Sequence, residues 1–183
     1  NIITVSEENT SSYHTGHTFW LLDPIDGTRN YINQQSNYTI NLSLVSKYLP
    51  VLGFIYHPSL NEIYYNDPQG SCIFYDIKTD IKTTCYFEDN HNKIRVLIDK
   101  DQKNLNSISE EELFFKIHPG IMRNKISMLL TDEVDVFYLY RPSMEWDTAA
   151  GHSILRTIGG DIIDLTGHVL IYGKPLFYNT NII

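Results

Sequence analysis

Between Tyr38 and Tyr75 the chain runs through four short apolar stretches broken by tight turns, and this rhythm constrains the fold more than any other feature. Tyr38-Thr39-Ile40-Asn41-Leu42-Ser43-Leu44-Val45 alternates with period two. Val51 to Tyr56, Glu62 to Tyr65 and Ser71 to Tyr75 follow, bridged by Pro50, by Pro58-Ser59-Leu60-Asn61 and by Asp67-Pro68-Gln69-Gly70. Alternation gives each strand one face for a core, and turns this short return the chain antiparallel to itself. The segment is predicted as an antiparallel meander. Ahead of it, Ile2 to Val5 and Thr18 to Leu22 read as short strands separated by the polar segment Asn9 to His17, expected to be a mobile loop. Beyond it, Ile94 to Ile98 reads as a strand, and Ser109-Glu110-Glu111-Glu112 as an N-cap serine with an acidic first helical turn. Ile121 to Thr131 has helical spacing, Val134 to Tyr140 reads as a strand, Glu145 to Leu155 as a helix stopped by Gly159-Gly160, and Asp161 to Leu165 as a closing strand. The predicted organisation is one domain over 1–183, with an antiparallel-sheet half over 1–92 and a smaller α/β half over 93–183.

At 183 residues with 42% hydrophobic composition, the chain is long enough to bury a core, and it has no apolar run near the length of a membrane span. Its formal net charge of −8 argues against binding a nucleic-acid backbone, which needs a basic face. Two cysteines, Cys72 and Cys85, are too few for a disulfide framework, and a reducing cytoplasm is the expected location. The chain opens inside a strand-like run, Asn1-Ile2-Ile3-Thr4-Val5, so a further segment is expected ahead of it.

The chemistry concentrates at Asp23-Pro24-Ile25-Asp26-Gly27-Thr28, directly after the apolar run Phe19 to Leu22. Two carboxylates across a proline bend can grip neighbouring hard cations, which take carboxylate oxygens and share phosphate with the protein. Gly27 lets the backbone approach closely, and Thr28 to Ile32 reads as a first helical turn facing an anion. Two more acidic features are candidates for the same cluster: Glu7-Glu8 at the end of the first strand and Asp147 at a helix start. Taken singly, Glu7-Glu8 reads as solvated surface, Asp147 as a helix cap, and the Asp23 bend as an Asx-type turn. A haloacid-dehalogenase pattern fails because the two acids are one residue too far apart. An EF-hand fails because its twelfth place is Gln34.

Ser6-Glu7-Glu8, Asp23 to Thr28, and Trp146-Asp147-Thr148-Ala149-Ala150-Gly151 with Gly159-Gly160 together resemble the inositol monophosphatase-like, Mg²⁺-dependent, lithium-sensitive phosphatases. Ser6, His152 and Met144-Glu145-Trp146-Asp147 look like the branch of 3'(2'),5'-bisphosphate nucleotidases, the CysQ type. The resemblance implies a layered α+β sugar-phosphatase fold whose N-terminal helices are missing from this sequence. It implies two or three Mg²⁺ ions, one held by Glu8, Asp23 and the carbonyl of Ile25, another by Asp23, Asp26 and Asp147. Glu8 and Thr28 would orient the attacking water, with Asp23 bridging the ions. The N–H groups of Gly27 and Thr28 would hold phosphate, and Glu7 would support the cluster from outside. The aspartate that pairs with Thr28 in the family falls on the missing segment.

Substrate residues are less legible. Asp147 and Arg141 are expected at the substrate, Arg29, Arg123 and Lys125 are further cations for a second phosphate, and Tyr138 or Tyr140 offers a ring for a base. Met122 stands where the nucleotidase branch usually has serine. His14 and His17 lack the partners of a metal site. His57, His91, His118 and His168 carry no signal, and His152 reads as structural. The implied activity is Mg²⁺-dependent hydrolysis of the 3'-phosphate of adenosine 3',5'-bisphosphate. The alternatives are an inositol-1-monophosphatase, a fructose-1,6-bisphosphatase and a non-catalytic relative that binds phosphorylated ligands. The expected partner is a small phosphorylated metabolite, with no nucleic-acid polymer and no membrane, for a monomer or homodimer.

Overall fold

The computed structural model describes residues 2–9, 17–87, 94–97, 113–116, 125–139 and 142–183. Strand β1 (Ile3–Ser6) runs parallel to β2 (Thr18–Asp26), and a single turn of helix, α1 (Thr28–Ile32), follows β2. The meander comes next as β3 (Thr39–Ser46), β4 (Leu49–His57), β5 (Glu62–Asn66) and β6 (Cys72–Asp76), with a further strand β7 (Ile81–Cys85). These seven form one sheet in sequence order, antiparallel from β2 onward. Ile81 to Cys85 shows no apolar alternation in the sequence. Four of its five residues are exposed at the sheet edge, so no buried face imposes an apolar alternation there.

The phase of β3 is inverted relative to simple patterning. Thr39, Asn41 and Ser43 are buried at 0%, 2% and 1% exposure, whereas the apolar phase Ile40, Leu42 and Leu44 is only partly covered. The buried polar phase meets specific partners, with Asn41 Oδ1 alone among its side-chain atoms left without one: Ser43 Oγ donates to Leu52 O at 2.8 Å, and Thr39 Oγ1 and Asn41 Nδ2 serve the acidic site.

A second, parallel sheet places β8 (Ile94–Leu97) between β9 (Leu113–Lys116) and β10 (Val136–Phe137). Arg95 anchors it, pairing with Asp132 at 2.5 Å and Asp135 at 2.6 Å. Helix α2 (Lys125–Leu130) precedes β10, and β11 (Ser143–Met144) leads into the long helix α3 (Glu145–Thr157). A 3₁₀ turn at Pro175–Phe177 ends the chain's last excursion before β12 (Tyr178–Asn179), which pairs antiparallel with β11.

Helix α3 lies on the large sheet, where Phe19, Leu21, Val45, Ile55, Tyr64 and Cys72 meet Ala149, Ala150 and Ile154 in one buried cluster. Each large side chain buried this way contributes roughly 1.5–3 kcal/mol. The approach is close enough that a Cβ on Gly53 would sit 2.1 Å from the Ala150 carbonyl oxygen. On the other side, Ile126 of α2 fills the space above Gly151, where a Cβ would come within 2.2 Å of its Cδ1.

Several expectations change. Ser109 to Glu112 and residues 10–16 lie outside the described residues. Within Ile121 to Thr131 the described helix is Lys125–Leu130, and within Val134 to Tyr140 only Val136–Phe137 pairs as a strand. Asp161 to Leu165 is not a strand. The Asp164 carboxylate accepts from Thr166 N at 2.8 Å, Thr166 Oγ1 at 2.6 Å and His168 N at 3.0 Å, folding the segment into a turn with isolated bridges only.

Candidate metal centre

Strand β2 carries Asp23 on its buried face, opposite Asn41 of β3, while Asp26 stands opposite Thr39. Three steps along a regular strand would turn Asp26 to the other face. The register slips between the two, three residues on β2 against two on β3, and this bulge at Pro24-Ile25 returns Asp26 to the side of Asp23. Both carboxylates are then fixed. Ile25 N donates to Asp23 Oδ1 at 3.0 Å, and Thr39 Oγ1 and Asn41 Nδ2 donate to Asp26 Oδ2, each at 3.3 Å.

Gly27 closes the bend at φ 85°, and a Cβ there would stand 2.9 Å from the Asn37 carbonyl oxygen, so only glycine fits. Thr28, exposed at the start of α1, donates its hydroxyl to Ile25 O at 3.0 Å. Asp147 arrives from the far end of the chain as the third residue of α3, where its Oδ2 accepts Met144 N at 2.8 Å. That cap leaves its second oxygen to the neighbouring acids.

One carboxylate oxygen each from Asp23, Asp26 and Asp147 lies within 4.8 Å of the others. The crowding is electrostatically costly. Burial first, then the charges of Asp26, Asp147 and Glu7, push Asp23 from 3.8 up to about 8, against a lowering bond from Ile25 N–H. Burial also leads for Asp147, raised to about 6, with the Met144 N–H opposing it and the Asp26 and Glu7 charges adding to it. Among the described residues no lysine or arginine pairs with Asp23 or Asp147. Oxygen donors in this number and this close, lacking a counter-charge on two of the three, fit a hard divalent cation.

The structure places the other expected residues differently from one another. Glu8 is exposed on the turn after β1 and is not one of the three clustered acids. Glu7 is the member of the pair whose charge reaches Asp23 and Asp147. The parallel β1–β2 ladder ends at Ser6 opposite Leu22, which brings the next residue, Glu7, within electrostatic reach of Asp23. The Ile25 carbonyl lies on the bend and accepts from Thr28. Arg141, Arg123 and Tyr140 lie outside the described residues, as do Met122, His14, His91 and His118. Arg29 is exposed on α1 and Lys125 opens α2. His17 rests edge-on against Tyr48 at the opposite end of β2 from Asp23. His57 bonds Ser127 Oγ at 2.7 Å, and His152 lies between Tyr172 Oη at 2.9 Å and Asp161 at 2.5 Å.

Sequence reasoning passed over Asn41, Thr39 and Glu145. The signal for the first two is the polar phase of β3, three consecutive inward positions occupied by Thr, Asn and Ser. Glu145 is fully buried beside Asp147, and its neighbours in sequence hold nothing that announces its distant partner Lys174.

The large sheet and the helix packed on it bring three carboxylates to one place. The family model for the inositol monophosphatase family matches residues 2–182, and the chain belongs to that family. It is 31% identical to the 3'(2'),5'-bisphosphate nucleotidase CysQ of Aggregatibacter actinomycetemcomitans, over 98% of this chain and 70% of that protein. It is 25% identical to the CysQ nucleotidase of Escherichia coli strain K12, over 87% of this chain and 62% of that one. The crystal structure of CysQ from Bacteroides thetaiotaomicron superposes with a TM-score of 0.80 at 22% identity, covering 99% of this chain and 75% of its own. The chain therefore spans between 62% and 70% of the length of these two nucleotidases. No helix among the described residues is long and apolar enough to cross a membrane.

Proposed function

We infer that the protein hydrolyses a phosphate monoester of a small metabolite with Mg²⁺ as cofactor, and that its substrate is a 3'(2'),5'-bisphosphate nucleotide such as adenosine 3',5'-bisphosphate. The observation that carries the reading is the convergence of Asp23, Asp26 and Asp147 within 4.8 Å. The nucleotide is supported by likeness to CysQ nucleotidases at up to 31% identity.

Divalent ions, when bound, neutralise phosphate oxygens and acidify a water for in-line attack. The chain's own part is positional. Asp23, central and most buried, would hold the ions together with the Ile25 carbonyl, Asp26 and Asp147. Asn41 and Thr39 hold Asp26 in the orientation a ligand needs, and the Met144 N–H does the same for Asp147. Glu7 supplies the fourth negative charge. Gly27 keeps the bend open to a phosphate, and Thr28 stands beside it with a hydroxyl for the attacking water. Arg141 is retained as a candidate for the second phosphate, and one domain acting as monomer or homodimer in the cytoplasm is the setting we propose.

Phosphate release from adenosine 3',5'-bisphosphate and from inositol 1-phosphate, measured with Mg²⁺ on the full natural protein, tests this. We expect the nucleotide to be preferred by at least about tenfold in kcat/KM. Preference for inositol 1-phosphate would overturn the substrate, and silence on both would favour a ligand-binding relative.

A further inference from the structure

We propose that Lys174, through the buried Glu145 and Asn179, is a positioning residue for Asp147, so that the segment 172–179 sets the geometry of the metal centre from behind α3. The inference rests on the reading of Asp147 as a metal ligand.

Glu145 is the first residue of α3, two before Asp147, and its carboxylate has no exposure to solvent. A buried carboxylate is tolerated only when its oxygens are saturated and its charge is met. The segment just before β12, the partner strand of β11, does both. Gly173 N donates to Oε2 at 2.6 Å, Lys174 N to Oε1 at 2.9 Å, and the Lys174 ammonium to Oε1 at 2.8 Å.

The same ammonium donates to Asn179 Oδ1 at 2.9 Å and to the Ile171 carbonyl. Asn179 Nδ2 then donates to Met144 O at 3.1 Å and to Thr148 Oγ1 at 3.0 Å. Met144 is the residue whose N–H holds Asp147 Oδ2. The peptide that orients the Asp147 carboxylate is thus gripped through its own carbonyl by Asn179. Residues 144, 145 and 148, which bracket Asp147 along the helix, are all bonded by this one segment, while Asp147 itself faces Asp23 and Asp26. This network of Lys174, Glu145 and Asn179 reaches the cluster through Met144, whose N–H holds Asp147. Its leverage is on the direction of one ligand, and such outer supports typically change metal affinity by tenfold or more.

Lys174→Met alone strands a buried charge, so the informative variant is the double substitution Glu145→Gln with Lys174→Met, which removes both charges together. Mn²⁺ binding to the full protein, read by electron paramagnetic resonance, is the probe. With parent-like circular dichroism, the double variant should bind Mn²⁺ about tenfold more weakly and need correspondingly more Mg²⁺ for half-maximal turnover. Lys174→Arg should keep affinity within about threefold, because the cation is retained. Should the double variant not fold, Asn179→Ala leaves the ion pair whole and should still weaken Mn²⁺ by about threefold. Mn²⁺ affinity within twofold of the parent in the folded variants would reduce the segment to a fold element and overturn the proposal. Asp147→Asn is the control: if it too binds Mn²⁺ like the parent, the ligand role of Asp147 has failed and the brace falls with it.

Discussion

Two polar regions meet at the first turn of α3, and they are built on opposite principles. On one side Glu145 is buried with a lysine, two backbone donors and an asparagine arranged around it, and the chain of bonds continues through Thr148 and Tyr172 to His152 and Asp161. On the other side Asp23 and Asp147 are largely buried among carboxylates, and both are raised well above 3.8. The first region satisfies its charges internally, as structural polar networks must. The second is left electrostatically unfinished. Folding alone gives no reason to gather acids that repel one another, so the difference separates what the chain uses to hold its shape from what it holds for an external cation.

The sharpest way to break the comparison is Asp147→Asn or Asp23→Asn. Each should lower kcat by on the order of a hundredfold or more, since metal-borne charge stabilisation of several kcal/mol is lost, while circular dichroism stays unchanged. The next effect runs the other way. At pH 9, above the value near 8 that Asp23 holds in the fold, metal-free Asp23→Asn should melt several degrees higher than the parent because one charge leaves the cluster. Mg²⁺ should raise the melting temperature of the parent far more than that of the variant.

The pH dependence follows with a definite sign. An acid whose value is raised in the fold contributes stability that is full below its unfolded value, 3.8, and is lost as pH climbs through the folded one. The contributions of Asp147 and Asp23 to the metal-free protein are therefore lost as pH rises through about 6 and about 8. Stabilisation by Mg²⁺ should grow over the same interval, because the ion competes with those protons. A thermal shift series from pH 5 to pH 9 with and without Mg²⁺ checks both. The smallest effect belongs to the satisfied side: Tyr172→Phe removes the hydroxyl on His152 and should cost about 1–3 kcal/mol while leaving the Mg²⁺-induced shift unchanged.

The sheet was legible because β3 to β6 alternate and turn at Pro, Asn, Asp and Gly. The edge strand β7 was not, since an exposed edge needs no alternation. The helix at Glu145 was legible from its formers and its double-glycine stop, but Asp161 to Leu165 misled: its β-branched residues promised a strand, and the Asp164 carboxylate made a turn of it. At the site, Asp23, Asp26 and Asp147 could be named from sequence, and the structure does bring them together. The resemblance put Glu8 at the ions and Glu7 outside them, whereas in the structure it is the Glu7 charge that reaches Asp23 and Asp147, a distinction between adjacent residues that pattern alone does not carry. Glu145 and Lys174 were invisible as a pair because they lie 29 positions apart in the sequence.

The most direct measurement is an anomalous difference map from a crystal of the full protein soaked in Mn²⁺. A peak bonded to carboxylate oxygens of Asp23, Asp26 and Asp147, at about 2.5 Å or less, is the expected result. A protein that turns over with Mn²⁺ yet shows its ion elsewhere, with those three acids unligated, would contradict the account.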